Sequence, residues 1–225
     1  DDKDRTEELN SMGHAPKSVP AFNIGQAMPL PGWMGFTSFD EHPLAPATIA
    51  ELEARGITIQ QPLVEGGHAN VYRAILRQSN AVIDVVIKVY KQRDEPSTNS
   101  FSREVEYLTK IAGNKNVASI FPAIQDFIDS RNALPTIIMH PVSGRSVNDY
   151  CRPNSNRYNT GSDSSPKLTL IETVQFAIDL FDALTRAHQF GLLHGDVSSG
   201  TVMMSSDGEV RLKPVLIDLS CARRT

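Results

Sequence analysis

The chain has 225 residues, of which 40% are apolar and 21% charged, and a formal net charge of −4. This composition is typical of a globular protein with one large domain or two lobes. Lysine and arginine are scattered, which argues against a nucleic-acid-binding surface, and no apolar run approaches the roughly 18 residues of a membrane span. Cys151 and Cys221 lack metal-ligand spacing and are either free thiols or one disulfide.

The first 46 residues contain many prolines and glycines, which break helices, together with several large apolar side chains. We therefore expect an irregular extension that packs onto the following domain. A short helix is predicted next, with Thr48 as its N-cap, Glu51 completing a capping box, and Gly56 at its end.

The sequence then becomes rich in β-branched residues that alternate with polar ones, a pattern typical of strands. One helix with an apolar stripe is predicted within this region, over Pro96–Ala112. The predicted strands begin at Ile57 and cover Val71–Leu76, Val82–Val89, Ile120–Ile128 and Thr136–Met139.

The second half of the chain is predicted to be mainly helical. A helical turn at Val147–Cys151 and a polar loop at 152–166 precede a long helix from Leu170 to Phe190. Thr169 and Glu172 form a capping box at the start of this helix, and a hairpin follows it. The order of elements predicts a bilobal α+β fold.

Three features of the first lobe suit a phosphate-binding site. Gly66 and Gly67 lie between two strands, where backbone N–H groups approach phosphates closely, although an ordinary hairpin turn has the same appearance. Lys88 stands in an apolar strand and needs an anionic partner, unless it reaches water at an edge. Glu104, in the predicted helix, either pairs with Lys88 or is a solvated surface carboxylate.

Two aspartates of the second lobe suit the same site. Asp196 belongs to a His194-Gly195-Asp196 motif after the long helix, and Asp218 directly follows an apolar strand. A carboxylate buried at such a strand end is costly unless it is paired or bound to a metal ion. An ordinary solvent-exposed turn without a function therefore explains Asp218 poorly.

The joint order of glycine loop, strand lysine, helix glutamate, His-x-Asp motif and strand-end aspartate resembles the protein-kinase-like superfamily over residues 57–225. The resemblance implies a five-stranded antiparallel N-lobe sheet plus one helix, and a mainly helical C-lobe that is truncated here. It implies an N-lobe at 57–140, followed by the hinge and the first part of the C-lobe at 141–225. The irregular extension with its short helix, at 1–56, precedes these two parts.

The resemblance also implies ATP and Mg²⁺ as cofactors, with Mn²⁺ as an alternative metal. Asp196 takes the role of catalytic base, Asp218 that of a metal ligand, and Thr201 stands at the position of a second metal ligand, usually asparagine. The residues implied to bind or position the nucleotide are Gly66, Gly67, Lys88 with its partner Glu104, the gatekeeper Met139, and His140 and Val142 of the hinge.

Several positions depart from the kinase pattern. Thr201 replaces the asparagine, Ser220 replaces the glycine of Asp-Phe-Gly, and Val64 and Ala69 replace the outer glycines of the loop. The sequence stops soon after Asp218, so we expect it to be part of a longer protein in which the long helix is covered. The degraded loop and the N-terminal extension are similar to those of rhoptry-type kinases and pseudokinases of intracellular parasites.

Three functions therefore stay open. The first is a phosphotransferase acting on serine or threonine hydroxyls of proteins, and the second is a pseudokinase that binds protein partners. The third is a small-molecule kinase, because Gly195 in the His-x-Asp motif also occurs in aminoglycoside-kinase-like enzymes. No signal peptide is recognisable, which favours a cytoplasmic protein by default and a secreted one if it is processed and rhoptry-type. The oligomeric state is not predicted.

Overall fold

A computed structural model describes residues 44–79, 81–92, 95–151, 168–205 and 212–225. The chain divides into two units, Asp1–Leu30 and Pro31–Thr225, and every described residue belongs to the second unit. Residues 1–43 of the extension, the polar loop predicted at 152–166 and the hairpin turn at 206–208 lie outside the described ranges.

The first half of the described chain forms a five-stranded antiparallel sheet with the strand order β1-β2-β3-β5-β4. Its α+β character and strand number confirm the predicted fold class. The strands are β1 (Ile57–Glu65), β2 (Ala69–Gln78), β3 (Ala81–Tyr90), β4 (Ile124–Ile128) and β5 (Thr136–Met139). The accompanying helices are α1 (Pro46–Ala54), α2 (Glu95–Ala112) and α3 (Lys115–Ala118).

Two predictions of local structure are wrong. Thr48 is not the N-cap of α1: the helix begins at Pro46, and the buried Thr48 hydroxyl accepts a hydrogen bond from the Leu134 N–H at 3.0 Å. Proline at the first position fixes a helical φ, so the helix starts earlier than the capping motif suggests. The fourth strand begins at Ile124 and not at Ile120, because the preceding residues form α3 and a buried turn.

The sheet separates two apolar cores, because successive side chains of a strand point to opposite faces. On β3, Val85, Ile87 and Val89 lie in the outer core, which α1 covers with Leu52. Tyr90 and Val86 lie in the inner core, against α2 and the second half of the chain. Lys88 shares the alternation of the inner set and therefore points toward the second half.

The second half consists of short strands around one long helix. Its elements are β6 (Arg145–Ser146), α4 (Val147–Cys151), α5 (Leu170–Gln189), β7 (Leu192–Leu193), β8 (Val202–Ser205), β9 (Lys213–Leu216) and β10 (Arg223–Arg224). Strands β6, β8 and β9 form one sheet, and β7 pairs with β10. The predicted capping box is present: the Thr169 hydroxyl accepts from the Glu172 N–H, and the Glu172 carboxylate accepts from the Thr169 N–H.

One face of α5 is exposed in the described structure. Five of its apolar side chains are each at least half exposed: Leu170, Ile171, Val174, Ile178 and Phe181. None of the helices in the described ranges is both long enough and apolar enough to span a bilayer.

Candidate active site

The central feature of the site is a buried lysine that lies between two carboxylates. Lys88 Nζ donates to Glu104 Oε2 and to Asp218 Oδ1, each at 2.7 Å. Lys88 is 7% exposed and Glu104 1% exposed, whereas the Asp218 side chain is 40% exposed. The structure therefore brings three of the sequence-predicted residues into direct contact, from β3, from α2 and from the segment after β9.

Local sequence explains how each element presents its side chain. Lys88 faces inward because it is two residues from both Val86 and Tyr90 on β3. Glu104 lies on the buried stripe of α2, between Phe101 and Leu108. This stripe packs on the inner face of the sheet, so the carboxylate meets the ammonium group.

Asp218 adopts a backbone conformation that is uncommon for residues other than glycine, with φ at +68°. Aspartate tolerates this region better than most residues, and here its Oδ1 accepts a hydrogen bond from the Ser220 N–H at 3.2 Å. The strand before it is anchored by the Leu216 N–H, which donates to the Ile120 carbonyl at 2.8 Å. This backbone arrangement aims the carboxylate at Lys88.

Burial and neighbouring charges act in opposite directions on the pKa values of Lys88 and Asp218. Burial lowers the pKa of Lys88, but the charges of Glu104 and Asp218 outweigh burial and hold the pKa above its usual value. Burial raises the pKa of Asp218, but the Lys88 charge and its hydrogen bond outweigh burial and bring the pKa below its usual value. One cation and two anions leave the cluster with a net charge of −1, which favours an additional cation.

Glu104 receives two further hydrogen bonds that the sequence analysis did not anticipate. Tyr90 Oη donates to Glu104 Oε2 at 2.6 Å, and the Leu219 N–H donates to Oε1 at 3.3 Å. Burial, followed by the charge of Glu104, raises the pKa of Tyr90, so its hydroxyl stays a donor at neutral pH. The period-two alternation that places Tyr90 on the face of Lys88 was a signal for this contact.

His194 connects the Asp196 loop to the strand that leads to Asp218. The Asp196 N–H donates to His194 Nδ1 at 3.4 Å, so the proton is on Nε2, which donates to the Ile217 carbonyl at 3.1 Å. Burial lowers the pKa of His194, which favours the neutral ring. The imidazole thus links the two aspartate-bearing segments, while Asp196 itself is exposed.

Thr201 uses its hydroxyl within the same loop. Its Oγ1 donates to the Asp196 carbonyl at 2.7 Å and accepts from the Ser198 N–H at 2.9 Å. Its carbonyl accepts from the Ile217 N–H at 2.9 Å. Thr201 therefore holds the Asp196 loop in shape against the strand before Asp218.

Gly195 allows the two loops to approach each other. Its φ is +81°, and a Cβ at this position would lie 2.3 Å from the Cys221 carbonyl oxygen. Both the left-handed backbone and the close contact exclude a larger side chain without movement. The glycine in the His-x-Asp motif thus has a steric role in the packing of the segment after Asp218.

The remaining predicted residues lie at or just beyond the ends of strands of the five-stranded sheet. Gly66 and Gly67 connect β1 to β2, and a Cβ on Gly66 would lie 2.8 Å from the Ala69 carbonyl oxygen. Met139 ends β5 opposite Val86 and is buried, and the chain leaves the sheet through His140, which is exposed, and Val142. The His140 N–H donates to the Ala123 carbonyl at 2.9 Å, which fixes the start of this connection.

Comparison with known proteins gives the family of this fold and site. The family profile described as "Protein tyrosine and serine/threonine kinase" matches residues 57–215, well over half of the chain. The chain belongs to the protein kinase family. The match spans Lys88, Glu104, Asp196 and Thr201 and ends just before Asp218.

Individual relatives are serine/threonine kinases at low identity. The chain is 24% identical over 157 residues to the probable serine/threonine-protein kinase PknB of Bifidobacterium longum, an alignment of 68% of this chain and 21% of the relative. It is 29% identical over 156 residues to PksC of Streptomyces coelicolor, covering 67% of this chain and 26% of that kinase. It is 25% identical over 173 residues to the mos kinase of Apteryx australis, covering 75% and 83%.

The chain thus spans only about a quarter or less of the two bacterial kinases and most of the bird kinase.

Proposed function

We propose that the chain is part of an ATP- and Mg²⁺-dependent phosphotransferase that acts on serine or threonine hydroxyls of proteins. The observation that carries the proposal is the position of Lys88, held at 2.7 Å from both Glu104 and Asp218. In this proposal residues 57–140 form the N-lobe, and residues 141–225 form the hinge and the first part of the C-lobe.

The hydrogen-bonding capacity of the Lys88 ammonium group suits phosphate binding. An ammonium group has three N–H donors, and the two carboxylates use two of them, so one is available for a phosphate oxygen. The raised pKa keeps this donor charged at neutral pH. Gly66 and Gly67 would bring backbone N–H groups to the phosphates, and Met139, His140 and Val142 would border the adenine.

The carboxylate oxygens of Asp218, next to Lys88, are suitable ligands for a magnesium ion. Mg²⁺ prefers oxygen ligands and is commonly held by one or two carboxylates together with substrate phosphates. Within the described ranges no three His, Cys, Asp or Glu side chains are grouped as metal ligands, so the ion would be held mainly by Asp218. Bound there, Mg²⁺, or Mn²⁺ in its place, would neutralise charge on the transferred phosphoryl group.

Asp196 is the candidate base for the acceptor hydroxyl. Its carboxylate is exposed, while its backbone is fixed by His194 and Thr201, so it is accessible to a substrate and held in place. Orienting the acceptor in line with the phosphoryl group is the main task of such a residue in phosphoryl transfer. The serine/threonine kinases among the relatives favour a protein acceptor over a small molecule.

One observation favours the second candidate, a pseudokinase that binds partners. The Thr201 hydroxyl, proposed as a further metal ligand, already donates to the Asp196 carbonyl and accepts from the Ser198 N–H. Loss of one metal contact would slow the reaction by removing stabilisation of the transition state. The two candidates differ in turnover.

Thermal unfolding with ATP, with and without Mg²⁺, tests nucleotide binding, because a ligand that binds only the folded state raises the melting temperature. We expect a metal-dependent rise that Asp218→Ala removes; no rise with any nucleotide in the complete protein would refute the proposal. Phosphate transfer to a protein substrate then separates the candidates. Transfer that Asp196→Ala abolishes supports the enzyme, whereas binding without transfer supports the pseudokinase.

A further inference from the structure

Tyr90 contacts both members of the Lys88–Glu104 ion pair. Its hydroxyl lies 2.6 Å from Glu104 Oε2, and its ring centroid lies 5.6 Å from Lys88 Nζ. The tyrosine is fully buried in the inner core, where its ring and that of Phe101 pack in a T-shaped arrangement at a centroid distance of 5.6 Å. Phe101 precedes Glu104 by one helical turn on α2, so the tyrosine ring packs beside the helix that carries the glutamate.

Three hydrogen-bond donors surround the Glu104 carboxylate. Oε2 accepts from Lys88 and Tyr90, and Oε1 accepts from the Leu219 N–H, which belongs to the residue after Asp218. A carboxylate whose two oxygens are bound from three directions has little freedom to rotate. The backbone next to Asp218 is thus tied to α2 through the same side chain that pairs with Lys88.

We propose that Tyr90 is a positioning residue that holds the Glu104 carboxylate on Lys88 and on the Leu219 N–H. The inference rests on the proposed function in one respect only, namely that the Lys88–Glu104 pair serves nucleotide binding. A phenylalanine would fill the same space and keep the contact with Phe101, but it would leave Glu104 without one of its three donors. The carboxylate would then move between alternative rotamers.

Tyr90→Phe is the direct test, and Tyr72→Phe is its matched control. Tyr72 is also a buried tyrosine, 1% exposed on the adjacent strand β2, but it lies in the outer core and its hydroxyl accepts from Asn70 at 3.4 Å. Both variants remove one buried hydroxyl from the same sheet. Only the first removes a hydrogen bond to Glu104.

The first measurement needs no nucleotide. Hydrogen exchange of the Leu219 N–H, measured in the full chain, should become about tenfold faster in Tyr90→Phe, the size expected when a hydrogen bond to a charged group is lost. Exchange of core amides in β2 and β3 corrects for any change in global stability. Tyr72→Phe should leave the corrected Leu219 rate unchanged.

The second measurement is the affinity for ATP with Mg²⁺. Tyr90→Phe should weaken it about tenfold, and the same substitution should have no further effect in a Glu104→Ala background, because the acceptor is already absent. An equal loss in both backgrounds, or an unchanged Leu219 rate in Tyr90→Phe, overturns the positioning role. If the wild-type chain binds no ATP while the Leu219 rate still rises, the proposed function fails and the positioning role stands.

Discussion

Replacing Lys88 by methionine should destabilise the folded protein through Glu104. Methionine has a similar length and an apolar body, so the substitution removes the charge with little change in volume. Glu104 is 1% exposed and would remain in the core without its cation, whereas Asp218, with 40% of its side chain exposed, can be solvated. The cost therefore arises at the buried partner and not at the exposed one.

The expected loss follows from the cost of an uncompensated buried charge. Removing one partner of a buried ion pair costs about 3–5 kcal/mol. Because Tyr90 and the Leu219 N–H still donate to Glu104, we expect the lower end, about 3 kcal/mol, in the free energy of unfolding at pH 7. For a domain of this size that corresponds to a fall of roughly 6–12 °C in melting temperature.

Urea denaturation of the wild type and the variants measures this loss, and Lys91→Met is the control. Lys91 follows β3 and pairs with Glu65 at 3.0 Å, but both side chains are about 30% exposed. A surface pair of this kind contributes about 0–1 kcal/mol. Lys88→Met should therefore lose several times more stability than Lys91→Met.

A second substitution shows where the energy is lost. Adding Glu104→Gln to Lys88→Met removes the uncompensated carboxylate and should recover a large part of the lost stability, since a neutral buried pair avoids the charge penalty. If Lys88→Met costs no more than Lys91→Met, the reasoning from the buried pair is refuted. If Glu104→Gln brings no recovery, the cost lies in packing and not in the charge.

Three further predictions concern the loops around the aspartates. Gly195→Ala should lower the free energy of unfolding in urea by at least about 1–2 kcal/mol, because Gly195 has a left-handed φ and its Cβ would lie 2.3 Å from a carbonyl oxygen. Gly67→Ala is the control and should change stability little, since a Cβ there meets nothing within 4 Å. Equal effects of the two substitutions would contradict the steric role of Gly195. In the same measurement Thr201→Val should cost about 1 kcal/mol, while Thr201→Ser should retain stability because it keeps the hydroxyl. An equal loss in the two variants would show that the hydroxyl hydrogen bonds do not stabilise the loop. Because the pKa of Asp218 is held low, its contribution to stability is present above the unfolded pKa of about 3.9 and is lost as the pH falls further. Asp218→Asn should therefore weaken the fall of the free energy of unfolding with decreasing pH in the acid range. An unchanged pH dependence would refute the pairing with Lys88.

Elements with strong local signals were predictable from the sequence. The capping box of α5 involves residues three apart, so its hydrogen bonds are determined by neighbours along the chain. The alternation in β3 likewise identified a strand from Val82 to Val89, within one residue of its observed bounds. The prediction of Thr48 as an N-cap failed for two reasons: Pro46 starts the helix earlier, and the Thr48 hydroxyl accepts a hydrogen bond from the distant Leu134 N–H instead.

The site was predictable in its parts but not in all its contacts. The order of motifs indicated Lys88 and Glu104 as partners, and the structure brings them together at 2.7 Å. The roles of Asp196, Thr201 and the hinge residues remain predictions. Tyr90 was missed because a tyrosine in an apolar strand is ordinarily a core residue, and its hydroxyl acquires a role only when a carboxylate on another element lies within reach.

The sequence by itself determined which side chains carry charge, which strand and helix hold them, and the order in which they occur. Only the tertiary structure decided that Asp218, which lies 130 positions after Lys88, shares the same ammonium group. It also decided that the Thr201 hydroxyl is engaged with its own loop. Local periodicity specifies the face on which a side chain lies, whereas contacts between distant segments depend on how whole elements pack, because packing fixes the distances between their faces.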